Sequence, residues 1–588
     1  MIIKAIRLIA LCASMFGYMR FISRRIAPEL SIGFTFTAIG SVMLAAGLLN
    51  ALPETAILVC LGGLACLAWT FFKEKRKLTL SLGGTFFLVM CAVLAARVWG
   101  QKINAYDSFS HWGLVVKHML AKDRFPNFMD DYVHFQSYPL GAGTLIYYCA
   151  KVSGIHSEWF QMLAHWACAA GLLSGLFCLA RRLPAKLACF ASAVLLLCSN
   201  NNFDMLQVDS TLAFVALGAV AFCVFYRNDL RRMGFYVLPW LTFLITVKNS
   251  GALFVLYVAF LVFLWGGWRK GIASLAAPFG LLLVWNRHVA YVFESGLLSQ
   301  HAMSIDHFRH MLDAKRARSV QTILSKMAQK VFMPDNPYLA IFAVSTAVFV
   351  LSLLLLKKAR AERTLAVYGV VCYLLYQAGL TGMYIFSMSE KEAVVLATYS
   401  RYNGTILIFC AGVMLMAILL MSGDMCEMRN GGRRSAALCA ACVLAIVLSG
   451  MPNYGHYLRR HDADAATRAS YRQTMEELLD GYGVPAESSY YVLVDEDFPH
   501  TSLLSYMTSY LTLSDAVEIR KPGQIQGDAE ILKSDYLLAF GDSPEVMDAV
   551  ERVTGRRERV VSLAEVEPSA ERAEPEAPLN LAELMKRS

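Results

Sequence analysis

Apolar residues arrive in runs along this chain. Most of the runs extend for roughly 18–22 residues with few charges, the length an α-helix needs to cross about 30 Å of hydrocarbon. They fall at 2–18, 30–51, 54–72, 78–98, 159–180, 186–198, 208–226, 233–248, 251–268, 271–293, 338–356, 364–386, 402–421 and 436–451. The pattern predicts a polytopic α-helical membrane protein with about 13–14 transmembrane helices. The segment 140–152 is too short to cross alone and is re-entrant or joins its neighbour. The first run carries Lys4 and Arg7, and no small-residue cleavage site follows it. It therefore reads as a weak first span or interfacial helix rather than a signal peptide.

The longest polar break in the first part of the chain runs from Asn104 to Gly143. Asp107 or Ser108 can cap a helix there, because a short oxygen side chain accepts an orphan backbone N–H. Phe109, Trp112, Val116, Met119 and Leu120 then share one helical face, with His111, Lys117 and His118 elsewhere. That spacing predicts a short helix flat on the membrane, its apolar stripe in lipid and its cations among headgroups. Tyr138-Pro139, followed by Gly141 and Gly143, marks the turn back into the bilayer.

After Pro452 the texture changes. Tyr490–Asp495 and Asp535–Phe540 read as short buried strands, and the segments around 464–480 and 544–554 as helices. Residues 452–564 are predicted to form a small α/β domain. From about Glu565 the chain is rich in Ala, Glu and Pro, and reads as partly disordered. No repeat of 20–50 residues is present, which argues against a repeat array.

Charge gives orientation. The cations cluster at Arg20/Arg24/Arg25, Lys73/Lys75/Arg76/Lys77, Arg181/Arg182/Lys186, Arg227/Arg231/Arg232, Arg269/Lys270, Lys357/Lys358/Arg360/Arg363 and Arg429/Arg433/Arg434. Every cluster lands on one side if the spans alternate, and the positive-inside rule makes that side cytoplasmic. Residues 99–158, 199–207, 294–337, 387–401 and everything after 452 then lie outside. The net charge of +9 thus reflects topology rather than nucleic-acid binding. Composition agrees: 57% of the 588 residues are hydrophobic and 17% charged, against about 45–50% and 25% in soluble domains. All 15 cysteines lie in or beside apolar runs and imply no disulfide framework.

The candidate chemistry sits at the outer ends of spans. Asp107 is either a cap on a solvated loop or a functional carboxylate. Asp209, in Asn200–Phe214, is a cap of a transmembrane helix or a second functional acid, with Asp204 competing for either role. Two carboxylates at one interface can act as base and orienter, or share a metal. Lys248, Arg287, His288 and Arg401 run against the positive-inside trend. Arg401 either snorkels to lipid phosphate or clamps a substrate phosphate through its planar fork. His111, His118, His134 and His156 match no zinc spacing. A divalent metal is possible but not required. Asp130-Asp131 reads as solvated loop. No Walker motif, strand-to-helix GxGxxG or GxSxG is present.

Asp107 after a span, His111-Trp112, the Tyr138-Pro139-Leu140 return, Asp209 at the next outer loop and Arg401-Tyr402 before a late span together resemble the GT-C superfamily. These are polytopic glycosyltransferases that take sugar from a polyprenyl- or dolichyl-phosphate carrier. Protein mannosyltransferases and the lipid A aminoarabinose transferase are members. The resemblance covers roughly 78–420 and rests on placement, not on a tight signature. It departs from the family in Ser108, where many members carry a second acid. The acidic loop also follows about the fourth span, which makes 1–77 an N-terminal addition to a module at 78–451.

The resemblance implies an inverting transferase in a bacterial cytoplasmic membrane, its active site facing outward. Asp107 would be the base and Asp209 an orienter. Arg401, with Lys248, would stabilise the departing phosphate, and His111, Trp112, Tyr138 and Tyr402 would line the substrate site. The partners implied are a polyprenyl-phosphate-linked sugar, membrane lipid and a glycan, lipid or protein acceptor. The alternatives are a surface-polysaccharide ligase or polymerase, a membrane assembly protein, and a transporter. A transporter would place charge near the midplane, whereas here it gathers at span ends.

Overall fold

A computed structural model gives the fold. It describes all residues except 1, 74–79, 200–202, 294–308, 310–314, 334, 335, 356–358, 429, 430, 459–462, 526 and 567–588. Lys75, Arg76, Lys77, Lys357, Lys358, Arg429 and the tail beyond 566 therefore lie outside the described residues. The chain divides into a helical unit, Met1–Asp462, and a second unit, Ala463–Ser588.

The helical unit opens with α1 (Ile2–Ile22), α2 (Pro28–Leu48), α3 (Leu52–Lys73) and α4 (Leu82–Val98). The outer loop holds a π-turn at Ser108–Trp112, then α5 (Gly113–Lys122) and α6 (Gly141–Ser153). Next come α7 (Glu158–Leu173), α8 (Leu183–Leu197), α9 (Asp209–Phe225), α10 (Leu230–Tyr236), α11 (Leu238–Val247), α12 (Gly251–Gly266) and α13 (Trp268–Val292). The unit closes with α14 (Ala317–Phe332), α15 (Tyr338–Leu355), α16 (Arg360–Phe386), α17 (Glu390–Val394), α18 (Tyr399–Met425) and α19 (Gly431–Leu448). Among the described residues eight helices are long and apolar enough to cross a membrane: α1, α2, α3, α7 with its 3-10 extension to Leu179, α15, α16, α18 and α19. Four more, α4, α8, α9 and α12, are apolar but shorter. The stretch expected as one span at 233–248 is broken into α10 and α11 at Pro239, where a ring replaces a backbone N–H. Of the two readings of the first run, span or interfacial helix, α1 has the length and apolarity of a span.

The core sits on α9 and α18. Every residue of α9 from Asp209 to Val224 is buried, whereas α1 buries only Leu11, Ser14, Met15 and Gly17. Small residues bring these helices close, as van der Waals packing in a bilayer requires. A Cβ added at Gly412 of α18 would lie 2.4 Å from Leu217 of α9. The indole of Trp240 on α11 fills a notch between Gly33 of α2 and Gly218 of α9, within 2.3 Å of a Cβ built at either. Helices α9, α11 and α18 are thus fixed against each other, and each carries a charged residue at one end.

The two ends of the helical unit differ. At one end Tyr226 accepts the Ala27 N–H at 2.8 Å and lies under the Arg232 guanidinium at 5.8 Å, while Arg181 packs 3.8 Å from a Cβ built at Gly423. The first basic loop and the clusters after α7 and α9 therefore share this end. The opposite end carries the loop 99–158. Helix α6 has both its ends there: Gly141 abuts Thr246, and Lys151 pairs with Asp123 at 2.6 Å.

Three expectations are corrected here. Residues 108–122 do not lie flat with cations among headgroups. Most of them are buried: His111 and His118 are covered together with Phe109, Trp112, Val116 and Met119, because the following loop folds back over them, while Lys117 and Lys122 are part-exposed and Ala121 is exposed. Asp130 is not solvated. It receives Arg124 Nη1 at 2.6 Å and the Asn127 N–H at 2.9 Å, and the Tyr132 hydroxyl at 3.3 Å. The second unit begins at Ala463, not 452. Pro452 bridges to Ser199, the Asn453 N–H donates to Cys198 at 3.3 Å, and the Tyr457 hydroxyl donates to Val194 at 3.0 Å, all within the helical unit.

The second unit is a four-stranded sheet, order β2-β1-β3-β4, from β1 (Tyr490–Leu493), β2 (Val517–Arg520), β3 (Tyr536–Ala539) and β4 (Val560–Ser562). Strand β1 is parallel to β2 and β3, and β4 is antiparallel to β3. Alternation sends Tyr490, Val492 and Leu538 to one face and Tyr491, Leu493 and Leu537 to the other. α20 (Ala463–Gly481) and α21 (Thr501–Thr512) cover the first face. α22 (Asp528–Ile531) and α23 (Pro544–Thr554) cover the second. Helix α23 shows local logic: Ser543 caps it, Pro544 opens it and Gly555, at φ +70°, ends it.

Candidate active site

The loop between α8 and α9 is pinned before it reaches Asp209. Arg97, at the end of α4, grips Asp204 through two bonds of 2.8 and 3.1 Å, both side chains buried. The Trp166 indole on α7 donates to the Phe203 carbonyl at 3.1 Å, and His165 lies 3.2 Å from both the Gln207 carbonyl and Thr211. The Leu206 N–H donates to Ser108 at 3.2 Å, which ties this loop to the π-turn. Asp204, expected to compete with Asp209, is thereby taken by Arg97. Sequence reasoning missed Arg97; a cation at the outer end of a span, against the positive-inside trend, was its available signal.

Asp107 stands immediately before the π-turn, and no side-chain cap bond is made there. The carboxylate instead pairs with Arg401 in the first turn of α18. Gln207 donates to the same oxygen at 3.4 Å. Arg401 Nε lies 3.5 Å from Asp209, whose other oxygen receives Lys248 Nζ at 2.7 Å. The Tyr402 ring lies beneath both cations, 5.3 Å from Lys248 Nζ and 5.2 Å from the Arg401 guanidinium. Asp107, Asp209, Lys248, Arg401 and Tyr402 thus meet from four separated segments. The helix containing Arg401 begins at Tyr399, so the arginine lies within the first turn rather than before the span.

The remaining predicted residues form an aromatic wall beside these charges. Tyr138 stacks on Trp112 with centroids 5.7 Å apart and on Phe135 at 5.6 Å, and meets the edge of His111 at 5.3 Å. Burial, opposed by Lys248, pushes the Tyr138 phenol above its usual range. His111 is buried, and among the described residues neither ring nitrogen has a hydrogen-bond partner. Burial first and Lys248 second hold its pKa down to about 3, so this imidazole is neutral. Arg287 and His288 are not part of the charged group; His288 packs on Phe125 and Trp285. Among the described residues no three His, Cys, Asp or Glu side chains gather as a metal set.

Exposure grades the site. The Asp107 side chain is 33% exposed and Arg401 25%, against 6% for Asp209 and 11% for Lys248. The buried pair forms the floor and the exposed pair the mouth. Asp107 and Arg401 are the more accessible pair. The arrangement can take a proton at Asp107 and hold an anion at Arg401 and Lys248. Comparison with protein-family models, curated proteins and solved structures gave no match.

Proposed function

We propose that this chain is a GT-C-type membrane glycosyltransferase that moves a sugar from a polyprenyl-phosphate carrier to an acceptor at the outer face. The observation that carries the reading is the meeting of Asp107 and Arg401, 294 residues apart, over the Asp209–Lys248 pair. In the step proposed, the acceptor O–H gives its proton to Asp107 and its oxygen attacks the anomeric carbon from the face opposite the phosphate. The carbon–oxygen bond to phosphate breaks, and the electron pair leaves on the lipid phosphate. Arg401 and Lys248 stabilise that charge, and inversion results.

The four charges sum to zero, which favours an exchange of partners. A donor phosphate competes with Asp107 for the Arg401 fork. Binding then frees the carboxylate to accept the acceptor proton, so the base is released only when the donor is seated. Asp209, buried and held by Lys248, keeps the floor of the site in place. A structural ion network would show the same neutrality. Purified protein in nanodiscs, given a panel of radiolabelled polyprenyl-phosphate sugars, separates the two. Transfer to endogenous or added acceptors is expected with at least one donor. No transfer and no donor hydrolysis across the panel would sink the proposal.

A further inference from the structure

A cavity of about 770 Å³ lies between α1, α2, α4 and α7, away from the carboxylates. That size is in the range of sites that hold extended organic ligands. Its lining changes along its length. Arg20, Ser23, Arg24, Ser31 and Ser81 line one end. Apolar side chains such as Leu11, Met15, Phe36 and Leu88 line the middle. Trp99 and Trp159, with ring centroids 4.4 Å apart, close the other end. From Leu8 to Arg20 the groove follows α1 for about 18 Å at 1.5 Å per residue, more than half a hydrocarbon thickness, and Arg24 lies in the turn beyond. A polar cationic end, an apolar shaft and an interfacial tryptophan pair have the polarity of an amphiphile.

The cationic end lies opposite the candidate active site. Ala27, three residues beyond Arg24, bonds Tyr226 at the far end of α9 from Asp209. A phosphate held there is about 25 Å from Asp209 by helix rise, too far to be the reacting phosphate. Snorkelling arginines alone would mean little at a membrane face. Here they open onto a formed cavity that continues past them. Both arginines line the groove; Arg20 also lies over the Phe71 ring at 5.7 Å and Arg24 over Phe21 at 5.9 Å. α1 is apolar and exposed at Ile6, Ile9 and Phe16, and Phe16 also lines the groove.

We infer that this groove holds an anionic diacyl phospholipid, its phosphate at Arg20 and Arg24 and its acyl chains along α1 and α4 toward Trp99. Two planar guanidinium groups suit a phosphate better than a zwitterionic headgroup, whose own cation they repel. The inference does not rest on glycosyl transfer.

The test uses full-length protein purified in mild detergent. Extracted lipid is identified by mass spectrometry, and native mass spectrometry then follows titration with phosphatidylglycerol or phosphatidylcholine. A retained diacyl phospholipid is expected. Arg20→Ala with Arg24→Ala should weaken phosphatidylglycerol at least about tenfold and leave phosphatidylcholine unchanged. The corresponding double lysine variant should retain most binding. Ala92→Trp, on the groove wall, should displace both lipids with the arginines intact, and it decides the matter if the double alanine variant fails to fold. Undiminished phosphatidylglycerol binding in the Ala92→Trp variant, or in a folded double alanine variant, would overturn the assignment. So would retention of a polyprenyl phosphate in place of a diacyl lipid.

Discussion

Arg401 touches two carboxylates at once, Asp107 at the mouth and Asp209 on the floor. A planar fork does this through separate nitrogens in a fixed geometry, which a compact ammonium does not reproduce. Arg401→Lys is therefore expected to insert normally and to lose transfer by about a hundredfold or more, as when one preorganised donor is removed. Unchanged kinetics would return Arg401 to a purely structural place. Asp107→Asn tests the other member of the pair. Asparagine caps a helix about as well as aspartate, so a capping role would tolerate it at a cost within about 1 kcal/mol. The side chain makes no cap bond, and its oxygen faces Arg401. A general base is typically worth about 10²–10⁴-fold in rate, and a loss of that size is expected at matched protein. Turnover comparable to wild type would remove Asp107 from the mechanism. Both residues were legible in the sequence because they break the membrane pattern: an acid and an outer cation beside spans. Gln207 was not, since an amide in a polar loop is ordinary until its partner is known.

The elements that aim these side chains were harder to read. The stripe Phe109, Trp112, Val116 and Met119 identifies a helix, but a stripe says only that one face is covered. The other face is covered too, by the returning outer loop, so His111 and His118 are interior residues. His118 Nδ1 shares a 2.7 Å hydrogen bond with the Tyr132 hydroxyl, and Asp130 lies 3.8 Å away, itself gripped by Arg124. Burial, opposed by Asp130, lowers the His118 pKa to about 4. In the unfolded chain the imidazole titrates near its usual 6.5. Between those values the unfolded loop binds more protons, so stability falls as pH drops from 6.5 toward 4. For Asp130, burial acts upward, but Arg124 and the Asn127 N–H outweigh it and its pKa is lowered. Its contribution is lost only as pH falls through that lowered value. Thermal stability measured from pH 7 to 4.5 should decline by on the order of 1–3 kcal/mol through His118. His118→Gln should flatten the decline in part, since His111 and His134 are lowered as well. Parallel curves would rule the residue out. The Arg97–Asp204 pair makes a second test at this scale. Arg97→Met removes the cation from the buried Asp204 carboxylate and should cost about 3–5 kcal/mol, while Arg97→Met with Asp204→Leu should recover much of it. Equal losses in single and double variants would show that the pair does not act as one.

Across the whole chain, apolar run length identified the helical architecture well and the helix ends poorly. Helix α18 starts at Tyr399 and α10 stops at Tyr236, because caps and proline set ends that hydropathy averages away. In the second unit β1 and β3 were legible as apolar runs. β2, Val-Glu-Ile-Arg at a sheet edge, was not, since its half-exposed pattern resembles a loop. What hydropathy cannot supply, charge does. The basic loops after α1, α7 and α9 share one end of the helical unit, and Asp107, Asp209, Lys248 and Arg401 share the other. Reversing the protein in the membrane would move all the basic loops across the bilayer together, against the cation bias that sets orientation. The end with these four charged residues is therefore expected outside. Asp131 and Asp515 are exposed positions, in the outer loop and the second unit respectively, and Arg231 is an exposed position in a basic loop. Cysteines introduced singly at Asp131 and Asp515 should react with an impermeant thiol reagent in intact cells or spheroplasts, above the background of the native cysteines. A cysteine at Arg231 should react only after the membrane is opened. Labelling of Arg231→Cys in sealed cells would invert the topology and place the carboxylates inside, where an outward-facing acceptor cannot reach them. Labelling at only one of Asp131→Cys and Asp515→Cys would instead mean that the number of crossings between them is odd.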